Sequence, residues 1–159
     1  MTTVDQEFRE LYEAEFESVF RTAYLFCGDR DLAEEATQEA FARALERWNR
    51  LRGQSWAAGW VVTTTYNVIH RRLRRQAAPV EALRPICVDE TDVELELEVR
   101  RAVRALPLRE QQAVVLFYFA DRPVEEVAQL MGCHNGTVKV HLARARQALS
   151  RTLGGKTDG

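Results

Sequence analysis

The sequence predicts an all-α protein: two small helical domains joined by a flexible linker, the second containing a helix-turn-helix. Three observations predict it. Apolar residues recur at three- and four-residue spacing through most of the chain. The stretch 76–92, QAAPVEALRPICVDETD, holds two prolines and no sustained period. Only the runs 61–66 and 113–119 could be read as strands. The domains fall at 1–77 and 96–153, with a linker at 78–95 and a disordered tail at 154–159.

The elements follow in order. Phe8, Leu11, Tyr12, Phe16, Val19, Phe20, Ala23, Tyr24 and Cys27 mark an amphipathic helix that Gly28 ends. Asp31 with Glu34 three residues on resembles an acidic capping box. Ala33, Ala36, Ala40, Phe41, Ala44, Leu45 and Trp48 mark the second helix. Residues 49–55, NRLRGQS, read as a loop. A third helix spans about Trp56 to Arg75, although Thr63-Thr64-Thr65 is β-prone and Gly59 costs about 1 kcal/mol of propensity. Periodicity returns with Val93, Leu97, Val99, Val103 and Leu106. Pro107 suits the first position of a new helix, where its missing N–H forfeits no bond. Asp121-Arg122-Pro123 is a turn.

Val124, Val127, Ala128 and Met131 then form one apolar face, and Gly132 permits a tight turn. Val138, Leu142, Ala145 and Leu149 form the stripe of the helix beyond it. Such a pair suits a helix-turn-helix, whose second helix enters the major groove. Thr137, His141 and Arg144 share a stripe there, with Lys139 and Arg146 flanking and Asn135 or His134 as the cap. Cationic side chains neutralise phosphates, while Thr, Arg and His reach base edges. An exposed basic helix that binds nothing remains the plainer alternative.

Charge comes in blocks. Residues 1–49 carry a net −7, residues 50–78 a net +6, residues 79–99 a net −6 and residues 100–159 a net +5. Such blocks speak of partners rather than fold. The basic blocks suit nucleic acid and the first acidic block suits a basic protein surface. Arg71, Arg72, Arg74 and Arg75 end a helix that also carries Tyr66, Asn67 and His70, with Trp56 and Trp60 at its start. Arginines among aromatics can hold phosphates and stack unpaired bases. The alternative is that the arginines complement the helix C-terminus and the tryptophans are core. Trp60 continues the apolar side, which places it in the core.

Hydrophobic residues make up 46% of the chain, enough for packed cores. The longest apolar runs, such as residues 113–120, are too short to span a bilayer. The polar N-terminus is no secretory signal. A soluble cytoplasmic protein is expected. Cys27, Cys87 and Cys133 form no CxxC pair, so neither a disulfide framework nor a metal site is expected, and no cofactor.

Taken together, the residues resemble a bacterial RNA polymerase sigma factor, of the extracytoplasmic-function group of the sigma-70 family. GDRDLAEEATQEAFARAL resembles the core-binding helix of region 2. WVVTTTYNVIHRRLRR resembles the helix that follows it and meets the promoter −10 element. ALPLREQQAVVLFYFADRPVEEVAQLMGCHNGTVKVHLARAR resembles region 4, which meets the −35 element. Together they cover nearly the whole chain. The chain departs from the usual family pattern at Gly59, Thr63, Tyr66, Arg71, His134 and His141, and in the placement of Trp56.

The resemblance implies a promoter-choosing, strand-opening initiation factor that performs no chemistry itself. It implies core polymerase contacts at Asp31, Glu34, Glu35, Gln38 and Glu39. It implies −10 contacts at Arg50, Arg52, Asn67, His70, Arg71, Arg74 and Arg75. It implies −35 contacts at Asn135, Thr137, Lys139, His141, Arg144 and Arg146. The implied partners are core RNA polymerase, promoter DNA and, as in many members, an anti-sigma factor, with a monomer when free and no membrane insertion. Two other classes stand beside this one. A stand-alone helix-turn-helix regulator using residues 96–153 would need no acidic 1–49 block. A sequestering adaptor would keep the fold without the DNA contacts.

Overall fold

The computed structural model describes residues 3–76 and 90–154. Helix α1 (Thr3–Cys27) buries Val19, Thr22, Ala23, Phe26 and Cys27. It ends at Gly28, whose φ of 72° is the left-handed conformation that glycine adopts without penalty. Helix α2 (Arg30–Glu46) starts two residues earlier than the expected capping box. Its cap is Asp29, whose Oδ1 accepts from the Leu32 N–H at 3.2 Å. Asp31 therefore lies inside the first turn, where its charge complements the helix dipole.

Ala33, Ala36, Ala40 and Ala44 of α2 are all fully buried. Small side chains at the contact let α2 approach α1 and helix α4 (Ala57–Gln76) closely. Beyond them the aromatic rings of Phe8, Tyr12, Phe16, Phe41 and Trp48 pack edge-on and tilted, with Phe8 and Trp48 centroids 5.5 Å apart. The expected loop at 49–55 opens with a short helix, α3 (Trp48–Leu51). The β-prone threonines of α4 are helical because each hydroxyl donates to the carbonyl four residues back. Thr63 bonds Gly59 at 3.0 Å, Thr64 bonds Trp60 at 2.9 Å and Thr65 bonds Val61 at 2.8 Å.

Helix α5 (Glu90–Arg104) begins inside the range expected for the linker. The rest of that linker, and residues 155–159 of the tail, lie outside the described residues. Pro107 is the cap of α6 (Leu108–Val114), one position before its expected place. The ambiguous run at 113–119 is helical. It passes from α6 into a π-helical segment, Val115–Phe119, closed by the Ala120 N–H on the Val115 carbonyl at 2.9 Å. Its Val115 and Leu116 are buried, while Tyr118 is 48% exposed.

Helix α7 (Val124–Met131) ends at Gly132 with φ 68°. The Cys133 N–H reaches back to the Ala128 carbonyl at 3.0 Å, the bond that closes a Schellman turn. Helix α8 (Asn135–Gly154) then buries Val138, Leu142 and Ala145 against α5, α6 and α7. The second unit rests on the first. Helix α7 packs on α4, and α1 meets both α5 and the π-helical segment.

Candidate nucleic-acid and polymerase interfaces

Helix α8 carries the second unit's outward face. Asn135, Thr137, Lys139, Arg144 and Arg146 are exposed, as expected. His141 is not: it is half-buried, and its Nδ1 is enclosed without a hydrogen-bond partner. The reason is angular. At about 100° per residue, Thr137 and His141 flank the buried stripe on one side, and Asn135 and Arg146 on the other. The face opposite the stripe is centred on Val140 and Ala143, with Lys139 and Arg144 at its margins. Both central residues are exposed, Val140 at 47%. Sequence reasoning passed over them because they carry no charge, although the position of the stripe already pointed to them. Arg146 is braced from the π-helical segment, since its Nη1 donates to the Tyr118 hydroxyl at 3.0 Å.

The first unit presents a cleft of about 540 Å³ on α4. Arg43, Arg47, Trp56, Trp60, Thr63, Asn67 and Arg71 line it on the side of α2 and α4. Trp60 was expected in the core. It is instead half-buried, with the Arg47 guanidinium 5.9 Å from its ring centroid. Arg43 and Arg47 were missed, being embedded in an otherwise acidic helical block.

The remaining arginines of the first unit differ in freedom. Arg50, Arg71, Arg74 and Arg75 are exposed. Arg52 is engaged by Glu7 through two bonds, at 2.8 and 3.1 Å. Arg72 reaches Glu35 at 3.3 Å. His70 stacks on Tyr66, at 5.7 Å between centroids. Burial first, then the nearby Arg74 and Arg104 charges, hold its pKa below the ordinary histidine value. The neutral imidazole is thereby favoured.

The outward face of α2 carries all five residues expected to meet polymerase. Asp31, Glu34, Glu35, Gln38 and Glu39 are exposed on the side away from the buried alanines. Leu45, expected on the apolar side of this helix, is instead 49% exposed on the same face about two turns beyond Gln38, where it adds an apolar contact. Arg43 pairs with Glu39 at 2.6 Å, an exposed i,i+4 contact of small energetic weight. The Cys27 thiol is enclosed, and burial pushes its pKa up to about 11, so it is no nucleophile.

Comparison with known proteins accounts for both units. The model of Sigma-70 region 2 matches residues 11–78, and that of Sigma-70, region 4 matches residues 96–149. The ECF RNA polymerase sigma factor SigM of Mycobacterium tuberculosis is 30% identical over 151 residues, covering 92% of this chain and 77% of that protein. RNA polymerase sigma factor SigV of Bacillus subtilis is 25% identical over 130 residues, covering 79% of this chain and 78% of that protein. Among solved structures, the sigma factor RpoE of Bartonella quintana, crystallised with the anti-sigma factor NepR, shares the fold. It matches with a TM-score of 0.72 at 19% identity, over 94% of this chain and 98% of that one. With two family regions in order and a relative at this identity along most of its length, the chain belongs to the sigma-70 family of RNA polymerase sigma factors, in its extracytoplasmic-function group.

Proposed function

We propose that three faces divide the work of this sigma factor as it directs RNA polymerase to promoters. The acidic face of α2, with Asp31, Glu34, Glu35, Gln38, Glu39 and Leu45, docks on a basic surface of core polymerase. The α4 cleft takes the −10 element. Its arginines and Asn67 hold phosphates of the opened strand, and a base stacks on the exposed side of Trp56 or Trp60, worth about 1–3 kcal/mol per base. Arg52 joins only after releasing Glu7. Helix α8 reads the −35 element in the major groove. Lys139 and Arg146 bind backbone, Arg144 reaches a base edge, and Val140 suits a thymine methyl. His141 supports the helix from its half-buried side.

The observation that carries this reading is the segregation of charge. One exposed acidic face lies on α2, and two basic faces lie on α4 and α8, each on its own element. Polymerase performs the chemistry, so the chain acts as no enzyme, and it works where polymerase does, in the cytoplasm. The RpoE relative was crystallised with an anti-sigma factor, and a partner of that class is part of the proposal.

The test is run-off transcription by core polymerase with this protein on pooled genomic DNA, followed by mapping of RNA starts. Starts sharing two spaced upstream elements are expected. Polymerase binding without new starts would argue for a sequestering role instead. Absence of both polymerase binding and new starts would overturn the sigma reading.

A further inference from the structure

Single π turns are rare, and within helices they frequently mark functional sites. Here one follows α6, over Val115–Phe119. Two bonds close it, from the Ala120 N–H to the Val115 carbonyl and from the Arg122 N–H to the Leu116 carbonyl, both at 2.9 Å. The turn changes where Tyr118 points. Had α6 run on as an α-helix at about 100° per residue, Tyr118 would lie about 20° from Gln111 and about 40° from Val114. Both of those residues are buried. The wider turn carries Tyr118 off that face and leaves it exposed.

The exposed ring is nonetheless fixed. Phe117, packed against the core, meets it edge to face, with centroids 4.9 Å apart and planes at 87°. The Tyr118 hydroxyl then reaches α8, where it accepts from Arg146 Nη1 at 3.0 Å. A phenol hydroxyl both accepts and donates. Its oxygen is taken by Arg146, and among the described residues none accepts its proton. The guanidinium, with five N–H donors in a planar fork, has others to offer beyond the one that Tyr118 takes.

The pair stands on the flank of the recognition helix. Arg146 lies about 20° from Lys139 around α8 and two turns further on, about 10.5 Å along the axis. Both are exposed. Donors in a row down one flank of such a helix meet the sugar-phosphate backbone, while the face between the flanks meets base edges.

We propose that Tyr118 and Arg146 form one phosphate clamp on the −35 duplex. The phenol oxygen turns the guanidinium toward the backbone. The phenol proton and a guanidinium N–H go to oxygens of the same phosphate. Tyr118 is thus a DNA contact in its own right and the residue that positions Arg146. The π turn is the local irregularity that brings it there. A guanidinium held in place beforehand has less side-chain freedom to lose on binding. The proposal rests on the placement of α8 on the −35 element, with Arg146 on its backbone. The hydroxyl adds a bond but no charge, so it raises affinity without releasing a counterion.

The test is fluorescence anisotropy of a labelled −35 duplex across a salt series, with the full chain both alone and on core polymerase. Tyr118→Phe keeps the ring and its packing on Phe117 and removes only the hydroxyl. It should weaken binding about tenfold, the effect of a bond to a charged group, and equally on matched and mismatched duplexes. Its salt slope and Tm should match the wild type. Arg146→Ala should reduce the slope by about 0.9, the share of one phosphate. In that background Tyr118→Phe should cost only about threefold or less, because both residues serve one phosphate. A loss under about twofold from Tyr118→Phe, beside the expected slope change in Arg146→Ala, would overturn the clamp and leave α8 on the −35 element. Additive losses would overturn it too, by giving Tyr118 a phosphate of its own. An unchanged slope in Arg146→Ala would take both residues off the backbone. Absence of binding by the wild type, alone or on polymerase, would remove the −35 assignment of α8 and the clamp with it.

Discussion

Replacing Lys139 by Ala isolates one phosphate contact of the recognition helix. Lys139 is exposed at the margin of the outward face of α8 and has no structural duty in the buried stripe. Its loss should therefore leave folding intact. If Lys139, Arg144 and Arg146 each neutralise one phosphate, the slope of log affinity against log salt is about −2.7 from this helix, at about −0.9 per phosphate. Removing Lys139 brings it to about −1.8. Between about 50 and 200 mM salt the wild type then loses roughly 40-fold in affinity and the variant roughly 12-fold. The assay is fluorescence anisotropy of a labelled −35 duplex across a salt series, with the wild type in parallel. The variant should weaken equally on matched and mismatched duplexes. An unchanged slope would take Lys139 off the phosphate backbone. An unchanged slope with altered sequence preference would move it to a base edge.

Arg144→Ala should relax preference at one −35 position by about 1–3 kcal/mol, read by selection from a randomised duplex pool; uniform weakening would assign it to the backbone. Arg100→Met tests the fastening of α5 to α1. Arg100 is 2% exposed, with bonds to the Leu25 carbonyl and to Glu96 at 2.9 Å. Breaking that buried network should cost about 3 kcal/mol, or roughly 10 °C in Tm, by thermal and urea unfolding. A loss under about 1 kcal/mol would show that the contact carries little. Glu126→Gln tests the carboxylate beside Gly59. Burial first, and then Glu15, raise its pKa against the opposing pull of Arg122. An acid with a raised pKa holds its proton more tightly in the folded state. Its stability contribution therefore falls as pH rises from the ordinary carboxylate range through the raised value, and the full cost is present at neutral pH. The Gln variant should melt higher than the wild type at neutral pH, with the gain shrinking in acid. An equal gain at both pH values would refute the role of ionisation.

Much of the fold was legible because most helices show one clean apolar stripe. The alanines of α2 and the stripe Val138, Leu142 and Ala145 of α8 lie where periodicity put them. The failures have physical causes. The threonine run in α4 is not among them: the helix expected there formed despite β-prone residues, because their hydroxyls found carbonyl acceptors that no local scale counts. The run at 113–119 has apolar residues on nearly every side, so periodicity could not separate strand from helix or foresee a π turn. Asp29 was overlooked as a cap because Asp31 offered the familiar spacing to Glu34. At the interfaces, charge was easy to read and apolar contributors were not. Val140 stands out only once the buried stripe fixes which side faces outward, and Leu45, counted with the apolar stripe of α2, proves to lie outside it.

Gly59 joins these strands of argument. In isolation it is a defect, a helix-interior glycine that costs about 1 kcal/mol relative to alanine. Nothing in the first unit alone requires it, because the atoms that a Cβ would meet first belong to Leu130 and Glu126 of α7. The local rule is broken where the other unit arrives. Natural sequences tend to break such rules where function, not folding, sets the residue. A helix optimised only to fold would carry alanine at this point, whose Cβ would meet the tip of the Leu130 side chain and force it to turn aside. The glycine makes sense if the docked arrangement is itself under selection.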